Sequence, residues 1–125
     1  MAAHFTDREL DLMKVLWRHG PATVAEARHH LDDDLAYTTV LTVLRTLEEK
    51  GYVGHREEGK AHRFYATVNE HAAQRRALAR VLERVFGGSA ELLLTHLIAD
   101  RDLSPRELKR LRAIMDDRGK RGNKS

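Results

Sequence analysis

The chain has 125 residues and no cysteine, 42% of its residues are apolar, and its formal net charge is +3. This length suits one domain with a small appendage, and the lack of thiols excludes disulfides and thiolate metal sites, as in a protein kept in a reducing cytoplasm. No apolar run approaches the roughly 18 residues that a membrane span needs, and the first residues lack the form of a signal peptide, so neither export nor membrane insertion is expected.

The distribution of charge does not by itself predict a nucleic-acid partner. Residues 1–68 carry 9 Lys and Arg against 11 Asp and Glu, whereas residues 69–125 carry 13 against 8. Much of this excess lies at the C-terminus, where residues 119–125 are predicted to form a basic flexible tail. A DNA partner therefore has to be inferred from the pattern of residues.

Two capping boxes mark the starts of the first two helices. Thr6 is followed by Glu9, and Thr23 is followed by Glu26. In this motif the threonine hydroxyl accepts from the amide of the third residue on, and the glutamate accepts from the threonine amide. An acidic loop at residues 32–35 then separates the second helix from the third.

The third helix is predicted over residues 36–51. Its apolar positions are spaced as one face of a helix, namely Val40, Val43, Leu44 and Leu47. The run of β-branched residues here favours a strand, but the helical spacing holds for four turns and ends at a cation and a glycine, as helices do. Thr38, Thr42 and Arg45 fall on the opposite face, which suits a DNA major groove; the alternative is an ordinary solvated face.

After the third helix the hydrophobic period changes to two. Residues 52–57 and 62–66 flank residues 58–61, which include a glycine, and this pattern predicts a β-hairpin. Three helices followed by a hairpin have the order of a winged helix, here predicted over residues 5–68. Arg56, Lys60 and Arg63 would lie on the wing and contact the phosphate backbone.

A second region of three helices is predicted over residues 69–118. So many apolar residues in so short a segment cannot all be buried within one chain, so a second copy is expected to cover them in a homodimer. The predicted dimerisation residues are Leu78, Val81, Leu82, Val85, Leu93, Leu94, Leu97, Leu108, Leu111 and Met115. The fold class is therefore mainly α with a small β-hairpin, a winged helix-turn-helix domain followed by a helical dimerisation region.

Catalytic and metal-binding patterns are weak. The chain has no cysteine nucleophile and no glycine-rich phosphate loop, and its paired glutamates are neighbours in sequence that project in different directions, so no enzyme and no cofactor are expected. His55 and His62 lie on the two arms of the hairpin, but the sequence does not determine whether they share a face. Solvated surface histidines are the favoured interpretation over a metal site.

Five stretches of this sequence resemble the penicillinase repressor (BlaI/MecI) family. They are LDLMKVLW at 10–17, ATVAE at 22–26, AYTTV at 36–40, LRTLEEKG at 44–51 and GKAHRFY at 59–65. The resemblance covers residues 5 to about 118. It implies a homodimeric winged-helix repressor of antibiotic-response genes on an inverted-repeat operator of double-stranded DNA. The base-facing residues that it implies are Tyr37, Thr38, Thr39, Thr42 and Arg45.

The resemblance also implies release from DNA when a membrane-bound sensor protease cuts the C-terminal helices. Members of the family are cut at an Asn–Phe bond, whereas the matching place here, around Thr95, has His96 followed by Leu97. Two alternatives stay open beside a protease-released repressor. One is a metal- or ligand-responsive winged-helix repressor, and the other is a winged helix that binds proteins.

Overall fold

A computed structural model describes residues 5–100 and 102–122, with side chains up to residue 120. The elements in chain order are α1 Asp7–His19, β1 Ala22–Thr23, α2 Val24–His30, α3 Tyr37–Glu49, β2 Val53–Glu58, β3 Ala61–Ala66, α4 Glu70–Phe86, α5 Ala90–Ala99 and α6 Pro105–Gly122. The chain divides into two compact units, the first ending at Val81 and the second beginning at Leu82, so that α4 contributes to both.

Both predicted capping boxes are present. At the start of α1 the Glu9 amide donates to Thr6 Oγ1 at 3.1 Å, and the Thr6 amide donates to Glu9 Oε1 at 2.8 Å. Thr23 and Glu26 make the same reciprocal pair at the start of α2. Each box satisfies amide groups that the first helical turn leaves without partners, so these two helix starts are determined by local sequence.

The core of the first unit is built from the apolar faces of α1 and α3 and the hairpin. The predicted stripe of α3 is confirmed, because Val40, Leu44 and Leu47 are fully buried and Val43 packs against them. Each such side chain contributes about 1.5–3 kcal/mol of burial free energy. The other large buried side chains of this core include Leu12, Met13, Leu16, Tyr52, Val53 and Phe64. The opposite face of α3 is thereby turned to solvent.

The sheet has three strands, whereas the sequence predicted only a hairpin. Strand β1 pairs antiparallel with β3, with Ala22 opposite Phe64, and gives the strand order β1-β3-β2. Two residues are too few to show an alternating pattern, which is why the sequence did not reveal β1. The predicted turn at residues 58–61 was also too long, because Glu58 pairs with Ala61 and only Gly59, at φ +63°, and Lys60 form the turn.

Glu9, in the first turn of α1, also binds the residue that follows α3. This carboxylate is buried, and Lys50, just after α3, donates to its Oε1 at 2.8 Å. Burial alone would raise the pKa of Glu9, but the hydrogen bonds from Lys50 and the Thr6 amide outweigh it and leave the pKa below its ordinary value of 4.5. The carboxylate therefore stabilises the fold above about pH 4.5, and this contribution is lost as the pH falls and Glu9 becomes protonated.

We expect Lys50→Met to lower the free energy of unfolding by about 1–3 kcal/mol, because a buried carboxylate oxygen loses a charged donor. Urea denaturation at pH 7 measures this difference. The matched control is Lys14→Met on the exposed face of α1, which should leave the midpoint unchanged. Equal midpoints for the two variants would show that the Glu9–Lys50 pair does not stabilise the fold.

The second unit contains the end of α4 together with α5 and α6. Gly87 and Gly88 take positive φ values and end α4, and the hydroxyl of Ser89 accepts from the Leu92 amide to start α5. Helix α6 continues to Gly122, so residues 119–122 of the predicted flexible tail are helical; the remaining tail residues, 123–125, lie outside the described residues. Among the described residues no helix is both long enough and apolar enough to cross a membrane.

Candidate nucleic-acid interface

The exposed face of α3 carries all five residues predicted to face DNA bases. These residues are Tyr37, Thr38, Thr39, Thr42 and Arg45, and each is exposed to solvent. They are held there because the other side of the same helix is anchored in the core. A rigid helix with one buried face presents its other face in a fixed orientation, which is what base recognition requires.

Two of the threonine hydroxyls on α3 donate hydrogen bonds within the helix. Thr42 Oγ1 donates to the Thr38 carbonyl at 2.8 Å, and Thr46 Oγ1 donates to the Thr42 carbonyl at 3.0 Å. With its proton used inside the helix, the Thr42 hydroxyl offers only an acceptor, next to its methyl group. This side chain is therefore suited to a base amino group or a thymine methyl.

The three cations predicted on the wing differ in their surroundings. Lys60 lies in the two-residue turn and Arg56 lies on β2, and both side chains are exposed. Arg63, in the middle strand, has a side chain only 18% exposed and is bound by carboxylates from two elements. The Arg63 guanidinium is thus engaged within the protein, whereas Arg56 and Lys60 are exposed cations of the wing, and the phosphate contacts of all three residues stay predictions.

The guanidinium of Arg63 donates hydrogen bonds to both Glu58 and Glu26. Its Nε and Nη2 donate to the two oxygens of Glu58 at 2.6 and 3.0 Å, and its Nη1 donates to Glu26 Oε1 at 2.7 Å. The hydrogen bond from Arg63 is the largest cause that lowers the pKa of Glu26 and of Glu58, and the same pairs raise the pKa of Arg63. Both carboxylates therefore stay ionised around neutral pH and keep the guanidinium in place.

Glu26 and Glu58 were not predicted as part of this region. For Glu58 the signal would have been a two-residue turn with Glu58 opposite Ala61, which places residues 58 and 63 on the same face of the hairpin, but the turn predicted over residues 58–61 did not give this register. For Glu26 no signal existed, since it stands 37 residues from Arg63 in sequence. Only the folded arrangement brings α2 beside β3.

The two hairpin histidines share one face of the sheet. The rings of His55 and His62 stack with their centroids 4.5 Å apart, and His55 Nδ1 lies 2.5 Å from Glu48 Oε2 at the end of α3. This cluster connects β2 and β3 to the end of α3. Within the part of the chain that the structure describes, no group of three or more histidines and carboxylates is arranged to hold a metal ion.

Apolar side chains are exposed along all three helices from α4 onward. Of the predicted dimerisation residues, one group is exposed and the other is half-buried. The exposed group contains Leu78, Val81, Val85, Leu94, Leu97 and Met115, and the half-buried group contains Leu82, Leu93, Leu108 and Leu111. Val85 is 69% exposed, and α5, which is described throughout, has no buried residue. Monomeric proteins rarely expose this much apolar surface.

The predicted cleavage region lies within α5. Thr95, His96 and Leu97 are all exposed, and the Thr95 hydroxyl donates to the Glu91 carbonyl at 2.8 Å. His96 Nδ1 lies 3.5 Å from Asp100 Oδ2 one turn further on. A protease would have to open this helical turn locally before it could cut the chain there.

The chain is similar in sequence to known transcriptional repressors over most of its length. A family model described as "Penicillinase repressor" matches residues 5–117. The chain belongs to the penicillinase repressor family. The penicillinase repressor of Bacillus licheniformis is 25% identical to it over 90% of this chain and 89% of that protein. The transcriptional regulator BlaI of Mycobacterium tuberculosis is 32% identical over 70% of this chain and 78% of its own length.

Membership of the penicillinase repressor family confirms the predicted resemblance. It also confirms the prediction of a transcriptional regulator and not an enzyme. Among solved structures, Staphylococcus aureus MarR in complex with salicylate and kanamycin aligns with a TM-score of 0.52 at 15% identity, covering 98% of this chain and 75% of that one. This similarity supports the winged-helix fold.

Proposed function

We propose that this penicillinase repressor family member is a sequence-specific repressor that binds double-stranded DNA as a homodimer on an inverted-repeat operator. The observation that carries the proposal is the exposed row of Tyr37, threonines and Arg45 on a helix whose opposite face packs in the core through Val40, Leu44 and Leu47. Helix α3 would lie in the major groove, with its exposed face toward the base edges.

Arg45 and Thr42 on the exposed face of α3 each have a specific chemical role in this proposal. The Arg45 guanidinium would donate two hydrogen bonds to the O6 and N7 atoms of guanine. Thr42 would present its methyl group and an oxygen acceptor, because its own proton is given to the Thr38 carbonyl. Arg56 and Lys60 on the wing would neutralise phosphates beside the same half-site and contribute affinity without sequence preference.

The proposed dimer follows from the apolar residues of α4, α5 and α6. Because these side chains are exposed in the single chain, a second copy would bury them and stabilise both. A symmetric pair of subunits presents two α3 helices related by a two-fold axis, and such a pair reads an inverted repeat. Symmetry of the operator is therefore a direct consequence of the proposed dimer.

The genes that the repressor controls are proposed from its relatives. Besides the penicillinase repressor, the methicillin resistance regulatory protein MecI of Staphylococcus aureus (strain N315) is 22% identical over 86% of this chain and 89% of that protein. We therefore propose that this chain represses, in the cytoplasm, genes that respond to β-lactams or to cell-wall stress.

Selection of bound fragments from a pool of random duplex DNA tests the proposal. We expect enrichment of a palindromic consensus whose half-sites lie about 10 base pairs, or a multiple of that, apart. An enriched sequence without symmetry would contradict the homodimer. If no sequence and no random duplex bound, the DNA-binding proposal would fail, and a winged helix that binds proteins would replace it.

Release from DNA is proposed to follow cleavage within α5 by a membrane-bound sensor protease. We expect the cut between Leu94 and Ile98, because a break there divides the most apolar helix and removes its side chains from the dimer. The test is to treat producing cells with a cell-wall antibiotic and to follow the mass of the protein, with untreated cells as the control. An intact protein that nevertheless leaves its operator would contradict this mechanism and support a ligand-responsive repressor, with His55 and His62 the first residues to mutate.

A further inference from the structure

Arg63 uses every donor of its guanidinium inside the protein. Besides the three hydrogen bonds to Glu58 and Glu26 already described, its Nη1 donates to the Pro21 carbonyl at 3.2 Å and its Nη2 donates to Glu26 Oε2 at 3.5 Å. An arginine side chain has five N–H donors, and here five hydrogen bonds are made. No donor is left for a DNA phosphate unless one of these contacts is broken.

These contacts join three separate parts of the first unit. Pro21 lies between α1 and β1, Glu26 lies in the first turn of α2, and Glu58 is the last residue of β2 before the turn. Glu26 is itself held, because its Oε1 accepts from the Thr23 amide in the capping box. The Arg63 side chain thus connects the end of the wing near its turn to the start of α2.

The same contacts also offset the repulsion between two arginines that face each other in the hairpin. Arg56 and Arg63 stand directly opposite each other on β2 and β3. Like charges at opposite positions destabilise a pair of strands. The carboxylates of Glu26 and Glu58 neutralise Arg63, so that Arg56 can remain exposed on the same hairpin without a net repulsion.

We propose that Arg63 is a positioning residue that holds the wing against α2, so that Lys60 and Arg56 reach the DNA backbone, and that Arg63 itself does not contact DNA. This inference rests on the proposed function. Strand β1 pairs with β3 only at Phe64 and Arg63, so the hairpin between Arg63 and its turn has two strands, and two strands by themselves are only marginally stable in water. A wing without this connection would have to be ordered when DNA binds, and that entropy cost would weaken binding.

Arg63→Lys tests the inference while keeping the net charge of the protein. A lysine can replace an arginine as a point charge near phosphate, but it cannot fork onto two carboxylates. In the free protein we expect backbone amides at the end of the hairpin, residues 57–62, to exchange hydrogen about 3–10-fold faster in Arg63→Lys. The matched control is Arg56→Lys on the facing strand, which should exchange like the unmodified protein. Arg63→Met, with a similar stem and no charge, should show at least the same acceleration.

Operator binding across a range of salt concentrations supplies the second readout. We expect Arg63→Lys to weaken binding by about 3–10-fold with an unchanged dependence on salt, because no phosphate contact is lost. An Arg63→Lys variant that exchanges and binds like the unmodified protein would overturn the inference. If the unmodified protein binds no DNA, the proposed repressor function fails. The exchange experiment still tests whether Arg63 holds the wing against α2. Faster exchange in Arg63→Lys supports that role, and unchanged exchange refutes it.

Discussion

A fragment ending at Val81 is expected to fold and to bind the operator about 10²–10⁴-fold more weakly than the full chain. The first compact unit ends at this residue, and it contains the whole of the core around α1, α3 and the hairpin. The fragment keeps Leu78 and Val81 but loses the rest of the apolar surface that we propose joins two subunits, on the end of α4 and on α5 and α6. Without that surface the second half-site must be bound by an independent molecule, so the gain from a linked pair is lost.

The end of this fragment follows from two contacts beyond the hairpin. The Trp17 indole Nε1 donates to the Val68 carbonyl at 2.8 Å, and Ala73 in the first turns of α4 is buried. A shorter fragment ending at Thr67 would remove both contacts. Such a fragment stops one residue before the predicted end of the domain at residue 68, and it would expose part of the core.

Circular dichroism should show a cooperative thermal transition for the Val81 fragment, and sedimentation should show a monomer. A matched comparison in the full chain is Leu97→Asp against Glu91→Gln, both on exposed positions of α5. The first should weaken the dimer and the operator complex together, and the second should change neither. A full chain that sediments as a monomer at micromolar concentration would remove the basis of this prediction.

Arg45→Ala is expected to cost about 1–3 kcal/mol of binding free energy on the operator and much less on random duplex DNA. The reason is that the bidentate hydrogen bonds from Arg45 to guanine can form only where the DNA has a guanine at the contacted position. Because Arg45 is exposed on α3 and contributes nothing to the core, the variant should unfold at the same temperature as the unmodified protein. Titration of both DNA types at one salt concentration measures the difference.

Lys60→Ala at the turn of the wing is the control for Arg45. It should weaken binding to the operator and to random DNA alike, and it should lower the slope of log affinity against log salt by about one, as expected for one lost phosphate contact. Equal weakening of both DNA types by Arg45→Ala would show instead that Arg45 contacts phosphate and reads no base.

The sequence by itself determined the features that depend on neighbours along the chain. The capping boxes at Thr6 and Thr23 link residues three apart, and the buried stripe of α3 follows from spacing within one helix. The hairpin is likewise local, although its turn is two residues shorter than the one predicted from the sequence. Family membership was also visible in short stretches of sequence, because those stretches form the helices and turns of the winged helix.

Only the tertiary structure decided the features that depend on contacts between distant residues. Strand β1 exists because Ala22 pairs with Phe64, and the hydrogen bond between Arg63 and Glu26 exists because α2 lies beside β3, although the two residues are 37 apart in sequence. The hairpin register placed His55 and His62 on one face. In each case the local pattern allowed more than one arrangement, because strand register and contacts between distant residues depend on how α2 and the sheet pack against the common core.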